Sequence, residues 1–164
     1  MLDMFIETLL VGWDRNLDYA KKLVADLSDG QMMVQPKAGM NHPAWTFSHM
    51  NIYHEVIAQL ASGGTFPDPR EHRFGMLSKP EPDASLYGTK QSIMDRYEQG
   101  HARVAEALRQ TSAATLERPM PLERWKKPFP KAGSALGYLM LVHESTHLGQ
   151  ISAWRRVQGL GSVM

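Results

Sequence analysis

Apolar residues recur every three or four positions along most of this chain, and no stretch shows the two-residue alternation of a half-buried strand. Phe5, Leu9, Trp13, Leu17, Ala20, Val24 and Leu27 mark a first helix from about Asp3 to Leu27, which Asp29-Gly30 interrupts. A second helix opens at Asn41-His42-Pro43, with Asn41 as the expected N-cap and Pro43 tolerated in the first turn. Its stripe is Trp45, His49, Ile52, Val56 and Leu60, and Gly63-Gly64 ends it. A third helix is predicted from near Thr89 to about Gln110 through Ile93, Tyr97, His101, Val104 and Leu108, and Ser112 is placed to cap a short extra turn through Leu116. A fourth runs from near Ser134 to Gly159, with an inner face of Leu136, Leu139 or Met140, His143, His147, Gln150 or Ile151, and Trp154. Helices of this kind bury their stripes against one another, so the expected fold is all-α, a four-helix bundle in one domain over residues 1–164.

Two connections are long. Residues 62–87 are rich in Gly and Pro, and the segment before the last helix carries Pro119, Pro121, Pro128 and Pro130 around Trp125 and Phe129. Connections of this length are uncommon unless they serve a site, which makes both candidate walls. Trp125 and Phe129 read either as such a wall or as anchors pinning the loop to the core.

Composition excludes several function classes. Lys plus Arg number 18 against 17 Asp plus Glu, so there is no basic stripe for nucleic acid. The doublets Lys126-Lys127 and Arg155-Arg156 read as solvated faces or helix C-terminal cations. No apolar run approaches the roughly 20 residues of a membrane span, and the acidic start of the chain does not read as a signal peptide. A soluble, cytoplasmic protein is expected. With no cysteine, disulfides, thiolate metal sites and a cysteine nucleophile are all excluded. The 11 methionines read as adaptable core filling, not as metal ligands.

The chemistry concentrates in His143-Glu144-Ser145-Thr146-His147-Leu148-Gly149-Gln150. Histidines four apart on a helix share one face and can converge on a single ion. Two inward imidazoles in an apolar setting each need a partner, and one metal ion satisfies both. A third ligand is required, and His49, on the buried stripe of the second helix, is the first candidate. His101 competes as ligand, as an outer base or as an ordinary core histidine. His54 lies five residues after His49, roughly 140° around the helix, and points away from it. His42 and His72 are expected at the surface. Glu144 completes a formal His-Glu-x-x-His, whose glutamate is the general base of zinc proteases. Such an enzyme also needs a strand to bind its substrate, so Glu144 is expected to be a polar residue at the side of its helix.

Pro36, Gly39, Asn41, Trp45 and His49, with Leu116 and the run His143, His147, Gly149, Gln150, Arg155, Arg156 and Gly159, resemble the DinB/YfiT-like metalloenzyme superfamily over nearly the whole chain. The resemblance implies an up-and-down bundle, commonly a homodimer, holding nickel or zinc through His49, His143 and His147. It also implies chemistry on a small-molecule substrate: a transferase using a low-molecular-weight thiol, or a metal-dependent hydrolase. A free thiol has a pKa near about 8.5, and a divalent cation deprotonates a coordinated one outright; a coordinated water falls toward about 7. A different class of reading is a non-catalytic bundle whose metal is a structural clamp, with His101 as a possible fourth ligand.

Overall fold

The computed structural model describes residues 2–37 and 39–163. The chain is all-helical, and among these residues the only strand-like pairing is an isolated antiparallel bridge between Pro119 and Lys131. The long helices are α1 (Leu2–Val24), α3 (Pro43–Ser62) and α4 (Lys90–Arg109). A fourth, composite element consists of α6 (Ala132–Gly137), a π-helical segment (Tyr138–His143) and α7 (Glu144–Val157). Two short helices join them, α2 (Asp29–Met32) and α5 (Ala113–Glu117). Among the described residues, no helix is long and apolar enough to cross a membrane.

Local signals explain most boundaries. Thr89 caps α4 and Ser112 caps α5, each through a side-chain oxygen accepting a backbone N–H three residues on. Gly63 ends α3 at φ +82°, a left-handed conformation that glycine adopts without strain. Two expectations fail here. Asp29-Gly30 does not simply break the first helix, because Ser28 and Gln31 form a capping box that starts α2. The N-cap of α3 is His42, not Asn41: its Nδ1 accepts from Trp45 N at 3.1 Å, and its Nε2 donates to Glu81 O at 3.3 Å. His42 is therefore buried, not superficial.

α3 is the central helix and packs most extensively on α4. It buries more than one stripe, with Trp45, His49, Tyr53 and Val56 on one side and Phe47, His54, Ile57 and Ala61 on others. A helix that is apolar on all sides belongs inside a protein. One core cluster surrounds Leu9, Trp13, Ile57, Leu60, Leu108, Leu136 and Met140; the other surrounds Leu23, Phe47, Met50, Ile93, Tyr97, Ile151 and Trp154.

Arg155 closes the far end of the bundle. It is buried and makes two contacts to Asp26, at 2.5 and 2.9 Å, and one to Leu23 O at 2.9 Å. The solvated face expected for Arg155-Arg156 holds for exposed Arg156 only. The two long connections are tied to each other by Arg124, whose guanidinium grips both oxygens of Asp68 at 2.5 and 2.6 Å.

Candidate metal centre

The composite last helix sets the site. Glu144 N–H bonds Leu139 O, five residues back, before the four-residue pattern resumes in α7. That switch passes over the Met140 carbonyl, which instead accepts Asn16 Nδ2 at 3.1 Å. Asn16 Oδ1 also takes Ser145 Oγ at 3.2 Å, so α1 braces both sides of the switch. The wider π turn shifts the buried stripe. Beyond it the core-facing residues are Glu144, Leu148, Ile151, Trp154 and Arg155, while His143 and His147 lie beside that stripe, partly exposed and turned toward α3.

There His49 meets them. Its Nε2 lies 3.2 Å from His143 Nε2, which lies 3.2 Å from His147 Nε2. The far side of two rings is fixed. His49 Nδ1 donates to Phe74 O at 2.7 Å, and His147 Nδ1 donates to Gln150 Oε1 at 3.0 Å. A ring nitrogen facing an oxygen acceptor carries the proton, so the Nε2 atoms of His49 and His147 point lone pairs at His143. One proton on His143 Nε2 can join only one of them fully, whereas one cation serves all three. Three nitrogens about 2.0–2.1 Å from a tetrahedral ion stand about 3.4 Å apart, close to what is found. The three residues expected to hold a metal thus fit one.

Their electrostatics agree. Burial, reinforced by neighbouring His147, lowers His49 to about 4 against the opposing Phe74 carbonyl. Burial, then His147 and His49, lowers His143 to about 2. Burial also lowers His147, against its Gln150 hydrogen bond. All three rings are neutral near pH 7, the form that binds a metal.

Both long connections do reach the site. The first supplies Phe74 O, and its Ser78 Oγ accepts from Trp45 Nε1 at 3.2 Å, holding that indole 4.8 Å above His49 and nearly parallel to it. The second brings Trp125 parallel to Tyr53 at 6.4 Å, and Tyr53 packs 4.3 Å from His143. Trp125 is buried in the core cluster, so it anchors its loop and backs Tyr53. Burial raises the Tyr53 hydroxyl to about 12, so it stays protonated.

The other candidates lie elsewhere. His101 does not approach the three histidines; its Nε2 donates to Glu144 Oε1 at 2.6 Å. Glu144 is not a polar residue at the side of its helix but fully buried, because the π turn carries it to the core side. Tyr97 also donates to its carboxylate. Burial alone would raise this carboxyl, but the His101 hydrogen bond and neighbouring His54 outweigh it and bring the group to about 2. His54 does point away from His49, yet into the core, and burial lowers its pKa. The second cluster, His54, His101 and Glu144, is not visible in the sequence pattern, since a single helical period marks only one buried stripe on α3. One signal was available: Gly100, one residue before His101, where a Cβ would lie 2.3 Å from His54 Nδ1. His72 is exposed, as expected.

The DinB superfamily model matches residues 13–151, a span that contains all three histidines of the outer site. No match to this chain is found among the curated proteins.

Proposed function

Since the chain belongs to the DinB superfamily, we propose that it is a metal-dependent enzyme which joins a low-molecular-weight thiol to a small electrophile. The observation that carries this reading is the convergence of three Nε2 atoms at 3.2 Å spacings, two of them with their protons fixed on the opposite nitrogen. Three neutral imidazoles suit nickel or zinc and would leave the ion its full positive charge. An ion held by His49, His143 and His147 would supply the positive charge that lowers the pKa of a bound thiol, whose proton would pass to solvent.

The remaining work falls to the chain. His49 and His147 are held in one tautomer by Phe74 O and Gln150, which keeps their lone pairs inward. Trp45 and Tyr53 pack the histidine rings, and Trp125 stacks parallel to Tyr53 and extends this aromatic packing. The Tyr53 hydroxyl, protonated near neutrality, is available to donate a hydrogen bond. Hydrolysis is the competing reading. It calls for a base to accept a proton from water, and Glu144, the carboxylate of the motif, is turned into the core. That favours the thiol. A homodimer is part of the proposal: Met4, Phe5, Val11, Tyr138 and Val142 leave large apolar surface on α1 and the π segment, and Phe5 and Tyr138 line one groove.

A panel of small thiols offered with a model electrophile to nickel- and zinc-loaded protein tests the reading. Thiol-dependent turnover that disappears in His143→Ala is expected. Turnover of ester or amide substrates without any thiol would replace the transferase by the hydrolase.

A further inference from the structure

The polar cluster inside the core is not accounted for by the outer histidines. Glu144 is buried there with no lysine or arginine in contact among the described residues; its partners are Tyr97, His101 and His54. A buried carboxylate needs a cation or a full set of donors. His54, 1% exposed, has no hydrogen-bond partner at Nδ1 or Nε2, and His101 has none at Nδ1. The fold makes room for this ring by keeping glycine at position 100. Trp13 of α1 stacks 3.8 Å over His101, so every long helical element contributes to the cluster.

The spacing selects a ligand. His54 Nε2 stands 3.7 Å from Glu144 Oε2, beyond a hydrogen bond. A water bonded to both at about 2.8 Å with tetrahedral geometry would hold them about 4.6 Å apart. A divalent ion about 2.0–2.2 Å from each would hold them about 3.4 Å apart, which is nearer to what is found. One ligand atom from each of His54, His101 and Glu144 lies within 4.8 Å of the other two.

We propose that His54, His101 and Glu144 form a second, enclosed site for a divalent transition-metal ion. Two imidazoles and one carboxylate are its ligands, and Tyr97 donates to the carboxylate from outside the coordination sphere. On binding, the His101 proton moves from Nε2 to Nδ1, which has no other partner, and the ion takes over the contact to Glu144. The cluster is closed to solvent, so the ion has no substrate position and instead ties α3, α4 and the last helix together.

The test is to refold the chain from denaturant in zinc, which admits the ion to a closed core, remove free metal and count bound zinc. Wild type is expected to retain two equivalents, and the outer-site variant His49→Ala/His147→Ala one, with an X-ray absorption edge and shell characteristic of mixed nitrogen and oxygen ligands. One equivalent in both proteins would sustain the inner site and remove the outer one. One equivalent in wild type and none in the double variant would overturn the proposal. Adding His54→Gln to the double variant should remove its last equivalent; retention there would also overturn it.

Discussion

The last helix contributes to two clusters of three side chains, each of a kind that can hold a metal, through adjacent residues, His143 and Glu144, and the two are built in opposite ways. The outer one, His49, His143 and His147, is all imidazole. It is partly exposed, oriented by loop and helix-surface oxygens, and faced by an aromatic wall. The inner one, His54, His101 and Glu144, carries a charge, is sealed in the core and is held by its own hydrogen bonds. Depth makes the difference. At the edge, neutral rings can be kept unprotonated while one side stays accessible to a substrate. In the centre, a carboxylate can be maintained only by donors or a cation that fully surround it.

The sharpest test of this contrast is His143→Ala. It removes the nitrogen that bridges the other two, and outer-site metal affinity should fall by more than the roughly 10–100-fold typical of losing an outer-sphere partner. Isothermal titration checks it, with the denaturation midpoint of metal-free protein little changed. Unaltered affinity would remove the outer site. Glu144→Ala should do the reverse, leaving His101 and Tyr97 buried without their shared acceptor at a cost of about 3–5 kcal/mol, read from urea unfolding. A smaller, more local test is Gly100→Ala. The added Cβ, 2.3 Å from His54 Nδ1, must displace the ring, and overpacking of this kind costs about 1–3 kcal/mol. If stability is unchanged, His54 is not confined as described.

The mildest test is pH. His49 and His143 sit at about 4 and about 2, below their ordinary 6.5. Between pH 6.5 and 4 the unfolded chain takes up protons that the folded chain refuses. Metal-stripped protein should therefore be fully stable above 6.5 and lose stability progressively as the pH falls toward 4. Glu144, lowered to about 2 from 4.5, adds its loss only below about pH 4.5. A urea midpoint that stays flat from pH 7 to 4 would contradict the burial of the outer histidines in neutral form.

Much of this was legible in the sequence. The four-residue spacing of His143 and His147, and the place of His49 on the Trp45–Leu60 stripe, were enough to mark the three as one cluster, although the period of the last helix put His143 and His147 on the core face and the structure puts them beside it. Caps at Thr89 and Ser112 were equally local. What could not be read is the π turn. It inserts no distinctive residue and depends on Asn16, more than a hundred positions away, to satisfy the carbonyl it frees. Without it, Glu144 is placed beside the core and not in it. The burial of α3 on several sides was hidden for a related reason. A residue such as His54 looks polar in sequence, and only Gly100 on the facing helix gives it space.

The sequence by itself determined the all-α architecture, the positions of its long helices and the membership of the outer histidine cluster, since all three follow from periodicity along single helices. Only the tertiary structure decided which face of the last helix is the core face, and hence that Glu144, His101 and His54 meet in the centre. That outcome depends on helix registry and on side chains from distant elements, which a period along one helix does not encode.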